Sequence, residues 1–326
     1  MKRIPSLDGL RAMSILMVLV AHLASTGRAW RFLSAYGATG VRMFFVISGY
    51  LITTLLLKEQ ARSAAIDLRG FYVRRAYRIL PAAGAFILFA LVVYWREFTW
   101  INIGAMLLYL VNFDRSTPWI VGHLWSLSVE EQFYLAWPGA LKKLFHRKVE
   151  VLCAVMVMAP VFSALCFHFK VPGGGYPMFP AVADNLAAGC LLAIVASRVP
   201  AINLPSALIM LLAVLLIPFY PADSPSKTIF QLFILWPLMN FSMAGILLHV
   251  VRNPYRILNA RPVVWLGQIS YSLYLWQQPF FFAKNQPAYK LCFGLALACI
   301  SYYWIEKPFL MLREKQFIAS RVVVQE

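Results

Sequence analysis

Acidic residues are scarce in this sequence. Its 326 residues include 13 Asp and Glu against 30 Lys and Arg, and charged residues of both signs make up only 13%. Soluble domains carry roughly 25% charged and roughly 45–50% apolar residues, so there is too little polar side chain here to coat a water-soluble globule. Cysteine is sparse and unpaired. Cys153, Cys166, Cys190, Cys292 and Cys299 form no CxxC and lie in apolar runs, which gives no support to a disulfide framework or a zinc site. No Walker loop, GxGxxG, HExxH or GxSxG occurs, so nucleotide hydrolysis, zinc proteolysis and a serine elbow lack a motif. The start, Met1-Lys2-Arg3 and then Ile-Pro-Ser-Leu-Asp-Gly-Leu-Arg, is too polar for a signal peptide and no small-residue cleavage site follows. The first apolar run is therefore expected to be retained as a span. No repeat, low-complexity linker or appended soluble domain is visible, and residues 1–326 read as a single membrane domain.

What is present is apolar. Hydrophobic residues make up 61% of the chain, with mean hydropathy +0.69. A membrane-crossing helix needs about 20 mostly apolar residues, and such runs occupy 12–30, 41–57, 79–96, 149–169, 181–198, 204–220, 229–250, 263–284 and 288–306. The stretch 97–141 adds a short piece, Trp100 to Phe113, and a longer one, Leu124 to Leu141, that carries Glu130 and Glu131. The formal net charge of +17 would suggest nucleic acid in a soluble protein; in a membrane protein it marks cytoplasmic loops, and no nucleic-acid partner is expected. One crossing by 97–141 gives ten spans and places 21 of the 30 cations inside, leaving 9 outside. Two crossings would put Lys142 to Lys148 and the C-terminal cluster outside. The expected fold is all-α, a bundle of about ten transmembrane helices, one kinked or re-entrant, with both termini cytoplasmic.

Ionisable groups inside a membrane are costly and mark function by default. His22 sits about halfway along the first span and Arg11 eleven residues earlier. Eleven helical steps come within about 20° of whole turns and rise roughly 16 Å, so the two share a face. In Gly122-His123-Leu-Trp-Ser126-Leu-Ser128-Val-Glu130-Glu131-Gln132-Phe133-Tyr134, seven steps bring His123 and Glu130 to nearly one face. A carboxylate beside a histidine orients the imidazole and raises its basicity. The basic loop from Arg69 to Pro81 places Arg75 and Arg78 at i, i+3, with Arg74, Tyr72 and Tyr77 interleaved. Arginine forks bind phosphate oxygens and aromatic rings stack on a base, although topology charge and anionic-lipid contact explain such a cluster equally well. Asp184 opens a span, where a helix cap is the plainer reading. Glu306 ends the last one beside Lys307.

Six strings, in order, resemble the integral-membrane acyltransferase family 3. They are Leu7-Asp8-Gly9-Leu10-Arg11-Ala12 with the spacing to His22; Phe44-Phe45-Val-Ile-Ser48-Gly49-Tyr50-Leu51; Arg75-x-x-Arg78; Trp125-Ser-Leu-Ser-Val-Glu130-Glu131-Gln132-Phe133-Tyr134; Ile269-Ser-Tyr-Ser-Leu-Tyr-Leu-Trp276; and Ile305-Glu306-Lys-Pro308. Many relatives have a histidine after that Tyr-Leu-Trp, where this chain has Gln277 and Gln278, which weakens an acid–base role for the segment.

The resemblance implies a multi-pass enzyme of the bacterial cytoplasmic membrane. It would transfer an acyl group, acetyl above all, from acyl-CoA to a sugar hydroxyl of a surface polysaccharide or lipid-linked glycan, with no permanently bound cofactor and no metal. On that reading Arg75, Arg78 and Arg74 take the CoA phosphates and the pantetheine arm passes Arg11. His22 serves as general base or acyl carrier, and Glu130 or Glu131 orients it. Asp8, Ser48, His123, Tyr134 and Asp184 are supporting candidates. Two rivals stand beside it: a proton-coupled transporter or flippase, and an acyltransferase acting on a small molecule such as an antibiotic.

Overall fold

The computed structural model describes residues 4–24, 28–281 and 288–322, and their regular structure is entirely helical. The helices are α1 (Pro5–Ala24), α2 (Tyr36–Ser63), α3 (Leu68–Tyr94), α4 (Trp100–Leu107), α5 (Trp119–Gly122), α6 (Leu124–Lys143), α7 (Lys148–His168), α8 (Phe179–Val195), α9 (Leu204–Leu216), α10 (Pro225–Phe230), α11 (Trp236–Arg252), α12 (Arg261–Phe281), α13 (Ala288–Ile300) and α14 (Lys307–Val322).

Among the described residues, six helical stretches are long and apolar enough to cross a membrane: Pro5–Ala24, Phe32–Ser63, Leu68–Glu97, Phe145–His168, Pro225–Arg252 and Cys292–Lys315. Phe179–Val195 and Leu204–Phe219 are shorter apolar helices. α6 and α12, of 20 and 21 residues, match a bilayer in length while carrying the polar motif residues. The helices outrun the apolar runs at several ends. α4, with 8 residues, spans only about 12 Å. Within the segment 97–141, α6 is the one helix of crossing length. Lys2, Arg3, the run ends at 25–27 and 282–284, and residues 323–326 lie outside the described residues.

Two apolar cores hold the bundle. One joins α1, α2, α3, α6 and α12 around Phe45, Phe86 and Leu141; the other joins α1, α2, α8 and α11 around Val46, Met239 and Met243. α2 and α8 touch backbone to backbone. A methyl added to Gly49 would fall on the Leu186 carbonyl, and one added to Gly189 on the Val46 carbonyl. Small residues permit this close approach where water supplies no hydrophobic drive. Leu88, Val92, Leu208 and Ile209 are exposed on the outer surface, as lipid-facing positions should be. Trp95 and Trp100 are exposed at one end of α3 and the start of α4, where interfacial tryptophans belong.

Side-chain caps fix several ends. Asp67 accepts from the Gly70 N–H at 2.9 Å at the start of α3, and Thr99 with Asn102 forms a capping box at α4. Two helical stretches widen to π geometry, Gln231–Leu235 before α11 and Ser301–Glu306 before α14. Such bulges turn side chains out of register and recur at functional sites. Each borders a polar cluster described below.

Candidate active site

A cavity of about 260 Å³ opens at the end of the bundle that carries most of the basic residues. Its charged and polar lining includes Arg11 on α1, Ser48 at the middle of α2, Arg75 and Arg78 on α3, Glu130 and Tyr134 on α6, and Arg313 on α14. Four arginines thus face one glutamate. The remaining walls are apolar or aromatic, including Phe44, Phe45 and Tyr274. Such a chamber suits an anionic head joined to an apolar or amide arm.

Most of the charged groups of the wall are held by specific partners. Asp8, one turn before Arg11, lies 3.6 Å from its guanidinium. Arg75 stacks its guanidinium over the Tyr134 ring at 3.9 Å, and its Nε is buried without a hydrogen-bond partner. Arg78 pairs with Glu306 at 3.2 Å. Glu306 is 1% exposed and also accepts from the Ser272 hydroxyl at 2.8 Å. The π turn at Ser301–Glu306 brings this carboxylate inward. Glu130 accepts from Ser48 at 2.7 Å and from Tyr134 at 3.2 Å. Glu131 lies beside it with a buried Oε1 that has no partner.

Toward the other end of α1, His22 packs edge-on against Trp119 with ring centroids 5.9 Å apart. Its Nδ1 lies 2.5 Å from Oε1 of Gln277 on α12. An amide oxygen only accepts, so Nδ1 carries the proton and Nε2 carries the lone pair. Gln278 donates to the Trp119 carbonyl, fixing the short helix α5 against α12. His123 reaches the Leu275 carbonyl through Nε2 at 3.0 Å and packs against Phe86 and Tyr274. The Nε2 of Gln277, Nε1 of Trp276 and Nδ1 of His123 are buried without partners. Buried polar atoms are nearly always satisfied, and two of these three, on Gln277 and His123, belong to residues that neighbour His22.

Several expectations change. The carboxylate expected to orient His22 is not there: Glu130 turns to Ser48 and Tyr134, and Gln277 holds the imidazole. The neutral amide does this because α12 packs along α1 at the depth of His22, whereas Glu130 lies two turns along α6 from His123. His123 and Glu130 do not pair, since α6 begins only at Leu124 and His123 is turned toward α12. Arg11 lines the cavity and His22 does not, so the shared face of α1 runs from the chamber to a separate polar cluster. Arg75 and Arg78 reach the cavity, while Arg74 turns to Glu59 at 3.4 Å. Tyr72 donates to the Leu135 carbonyl and Tyr77 packs on Phe309, so neither ring lines the chamber. Asp184 is no cap: it lies in the second turn of α8, buried against Asn185 and Asn240.

Three participants stood out poorly or not at all in the sequence. Gln277 read as the loss of a histidine, and only the α1–α12 contact reveals its partner. Arg313 read as one more topology cation. Glu306 had a signal in Ile-Glu-Lys-Pro, but its pairing with Arg78 spans more than two hundred residues. Gln132, inside the Glu-Glu-Gln string, anchors the loop before α5 by donating to the Tyr109 and Asn112 side of that loop at 2.9 and 2.8 Å.

A family model described as an acyltransferase domain matches residues 4–305. Among curated proteins the chain is similar to "Putative peptidoglycan O-acetyltransferase YrhL" of Bacillus subtilis, with 31% identity covering 94% of this chain and 54% of that protein. It is similar to O-acetyltransferase OatA of Staphylococcus aureus, with 29% identity covering 97% and 58%. Peptidoglycan O-acetyltransferase OatA of Listeria monocytogenes shows 28% identity covering 85% and 49%. The chain spans about half the length of these curated relatives. No solved structure matches it.

Proposed function

The chain belongs to the acyltransferase 3 family, and from that premise we propose that it is a membrane O-acyltransferase moving an acetyl group from acetyl-CoA to a sugar hydroxyl of a bacterial cell-surface glycan. The observation that carries the donor is the chamber with four arginines and one glutamate. CoA is a polyanion on a long, uncharged pantetheine arm, and Arg75 and Arg78 offer forked donors to its phosphates. The acceptor class follows the relatives, two of which are named for peptidoglycan.

On this reading the chain is one membrane domain that crosses ten times with both termini cytoplasmic, as a multi-pass protein of the bacterial cytoplasmic membrane. The ten are the six long apolar helices, the two shorter ones, α6 and α12. The arginine chamber then opens to the cytoplasm, where acyl-CoA is found. Arg11 guides the arm inward, and His22 lies roughly 16 Å further along α1, a distance the arm can bridge.

His22 acts as the general base. Its Nε2 takes the proton of the acceptor hydroxyl as that oxygen attacks the thioester carbonyl. The tetrahedral carbon collapses, the C–S bond breaks, and the imidazolium returns the proton to the departing thiolate. An ester and CoA-SH result. Gln277 keeps the reactive tautomer in place through Nδ1–H. Glu130 does not reach His22; with Ser48 and Tyr134 it shapes the chamber wall under Arg75.

The test is transfer of radiolabel from acetyl-CoA to peptidoglycan oligosaccharides by the purified protein in lipid nanodiscs. Arg75→Ala with Arg78→Ala should raise the KM for acetyl-CoA about tenfold or more. An unchanged KM would remove the chamber as the donor site.

A further inference from the structure

A second cavity, of about 420 Å³, lies at the opposite end of the bundle from the arginine chamber. Its lining comes from the first turns of α2 and α8, the last turns of α7, and the π turn that leads into α11. At its floor is a polar cluster that the acyl-transfer steps do not use. The Arg42 guanidinium lies over the Trp236 ring at 4.0 Å, and its Nη1 donates to Asn185 Oδ1 at 3.2 Å. Asn185 passes on a bond to Asp184 at 2.8 Å, and Asn240 donates to the other Asp184 oxygen at 2.7 Å. Cation and anion are thus linked through an amide, and the cluster is neutral overall.

A purely structural cluster at this depth would close every polar atom. This one does not. Arg42 is 9% exposed and its Nε has no partner, although Arg42 lines the cavity. The cavity that Arg42 lines also carries the hydroxyls of Ser163 and Thr228, the amide of Gln231, and the rings of Tyr176 and Phe167. Aromatic walls with a few fixed polar groups and one charged N–H suit a sugar ring, whose apolar faces pack on rings and whose hydroxyls accept and donate in the ring plane.

The two cavities approach one another. Phe45 lines the arginine chamber and Tyr176 lines the second cavity. Trp125 stands between them, with its ring 6.0 Å from Phe45 and 5.0 Å from Tyr176. Arg42 and Ser48, six residues apart on α2, face the two sides, about 9 Å along the helix.

We propose that this second cavity is the site that holds the acceptor glycan, with Arg42 Nε donating to a sugar oxygen. The assignment rests on the acyltransferase reading and on the ten-span topology, which place this cavity on the face away from the cytoplasm.

The experiment is calorimetric titration of the full-length chain in nanodiscs with chitotetraose and with a tetrasaccharide of alternating N-acetylglucosamine and N-acetylmuramic acid. Acetyl-CoA is titrated separately into the same samples. At least one saccharide should bind. Arg42→Gln should weaken it at least tenfold, and Ala181→Phe, which fills the cavity from α8, should abolish it. Both variants should keep the wild-type Kd for acetyl-CoA, which also reports that they are folded. Saccharide binding that is absent from the wild-type protein, or unchanged in both variants, overturns the proposal. An anionic phospholipid retained in an Arg42-dependent manner in place of saccharide also overturns it, in favour of a lipid site. Loss of acetyl-CoA binding by the wild-type protein would instead refute the acyltransferase reading, independently of the saccharide result.

Discussion

Gln277 holds His22: the carboxamide Oε1 and the imidazole Nδ1 lie 2.5 Å apart across the contact between α12 and α1. That contact assigns the proton to Nδ1 and the lone pair to Nε2, the form a general base needs. Gln277→Leu should lower kcat roughly ten- to hundredfold, the scale of a misplaced catalytic group, with the KM for acetyl-CoA unchanged. Gln277→Glu keeps the accepting oxygen and should recover most of the rate. A raised donor KM in Gln277→Leu, or no recovery in Gln277→Glu, would reduce the contact to packing.

The Arg78–Glu306 pair separates binding from stability. Arg78→Ala leaves Glu306 buried without its counter-charge, and losing one partner of a buried pair is costly. Because Arg78 is 27% exposed, the loss should be about 3 kcal/mol at most, seen as a lower thermal midpoint. Adding Glu306→Gln should restore the midpoint while the donor KM stays high. A double variant as unstable as the single one would show that the ion pair is not what Arg78 contributes to the fold.

The α2–α8 contact tolerates no side chain. Gly49→Ala and Gly189→Ala should each destabilise the protein by about 1–3 kcal/mol, the scale of forced overpacking. Gly84→Ala on α3 meets no atom within 4 Å and should be neutral or stabilising by up to about 1 kcal/mol through helix propensity. Unfolding in detergent would rank the three, and an equal response from all three would refute the close packing.

The loop between α4 and α5 is sensitive to acid. Asp114 is only partly buried, and that burial pushes its carboxyl upward. Hydrogen bonds from Ser116, Asn102 and Thr117 outweigh the effect and hold it below the ordinary carboxylate value. A depressed carboxylate stabilises the fold above its ordinary value, and that contribution is lost as pH falls through the lowered one. Hydrogen exchange over residues 99–117 should therefore be slow at neutral pH and accelerate only as pH falls below the ordinary aspartate value of about 3.9. Asp114→Asn should exchange fast at both; protection that does not change with pH would contradict the assignment.

The helical class and most crossing segments were legible because lipid demands long apolar runs and closed backbone hydrogen bonding. Two of the chamber's four arginines, Arg75 and Arg78, were legible as a pair because i, i+3 spacing puts them on one face. Arg74 was not separable from them, since only the fold shows Glu59 drawing it away. Spacing along α6 suggested that His123 and Glu130 act together, but periodicity says nothing about where a helix starts, and His123 belongs to the turn before α6. The partners of His22 and Arg78 come from α12 and the turn before α14, across the full length of the chain. Arg42, two residues before the Phe-Phe-Val-Ile-Ser-Gly string, has no spacing signal of its own, and only the fold places Asn185, Trp236 and a cavity around it.

The account turns on His22, and the most direct measurement is single-turnover acetyl transfer by His22→Ala in nanodiscs, with radiolabelled acetyl-CoA and a peptidoglycan oligosaccharide. The variant should bind acetyl-CoA with the wild-type Kd yet transfer label roughly a hundredfold or more slowly, the range for removal of a general base. Transfer at the wild-type rate would contradict the assignment of His22 as the base.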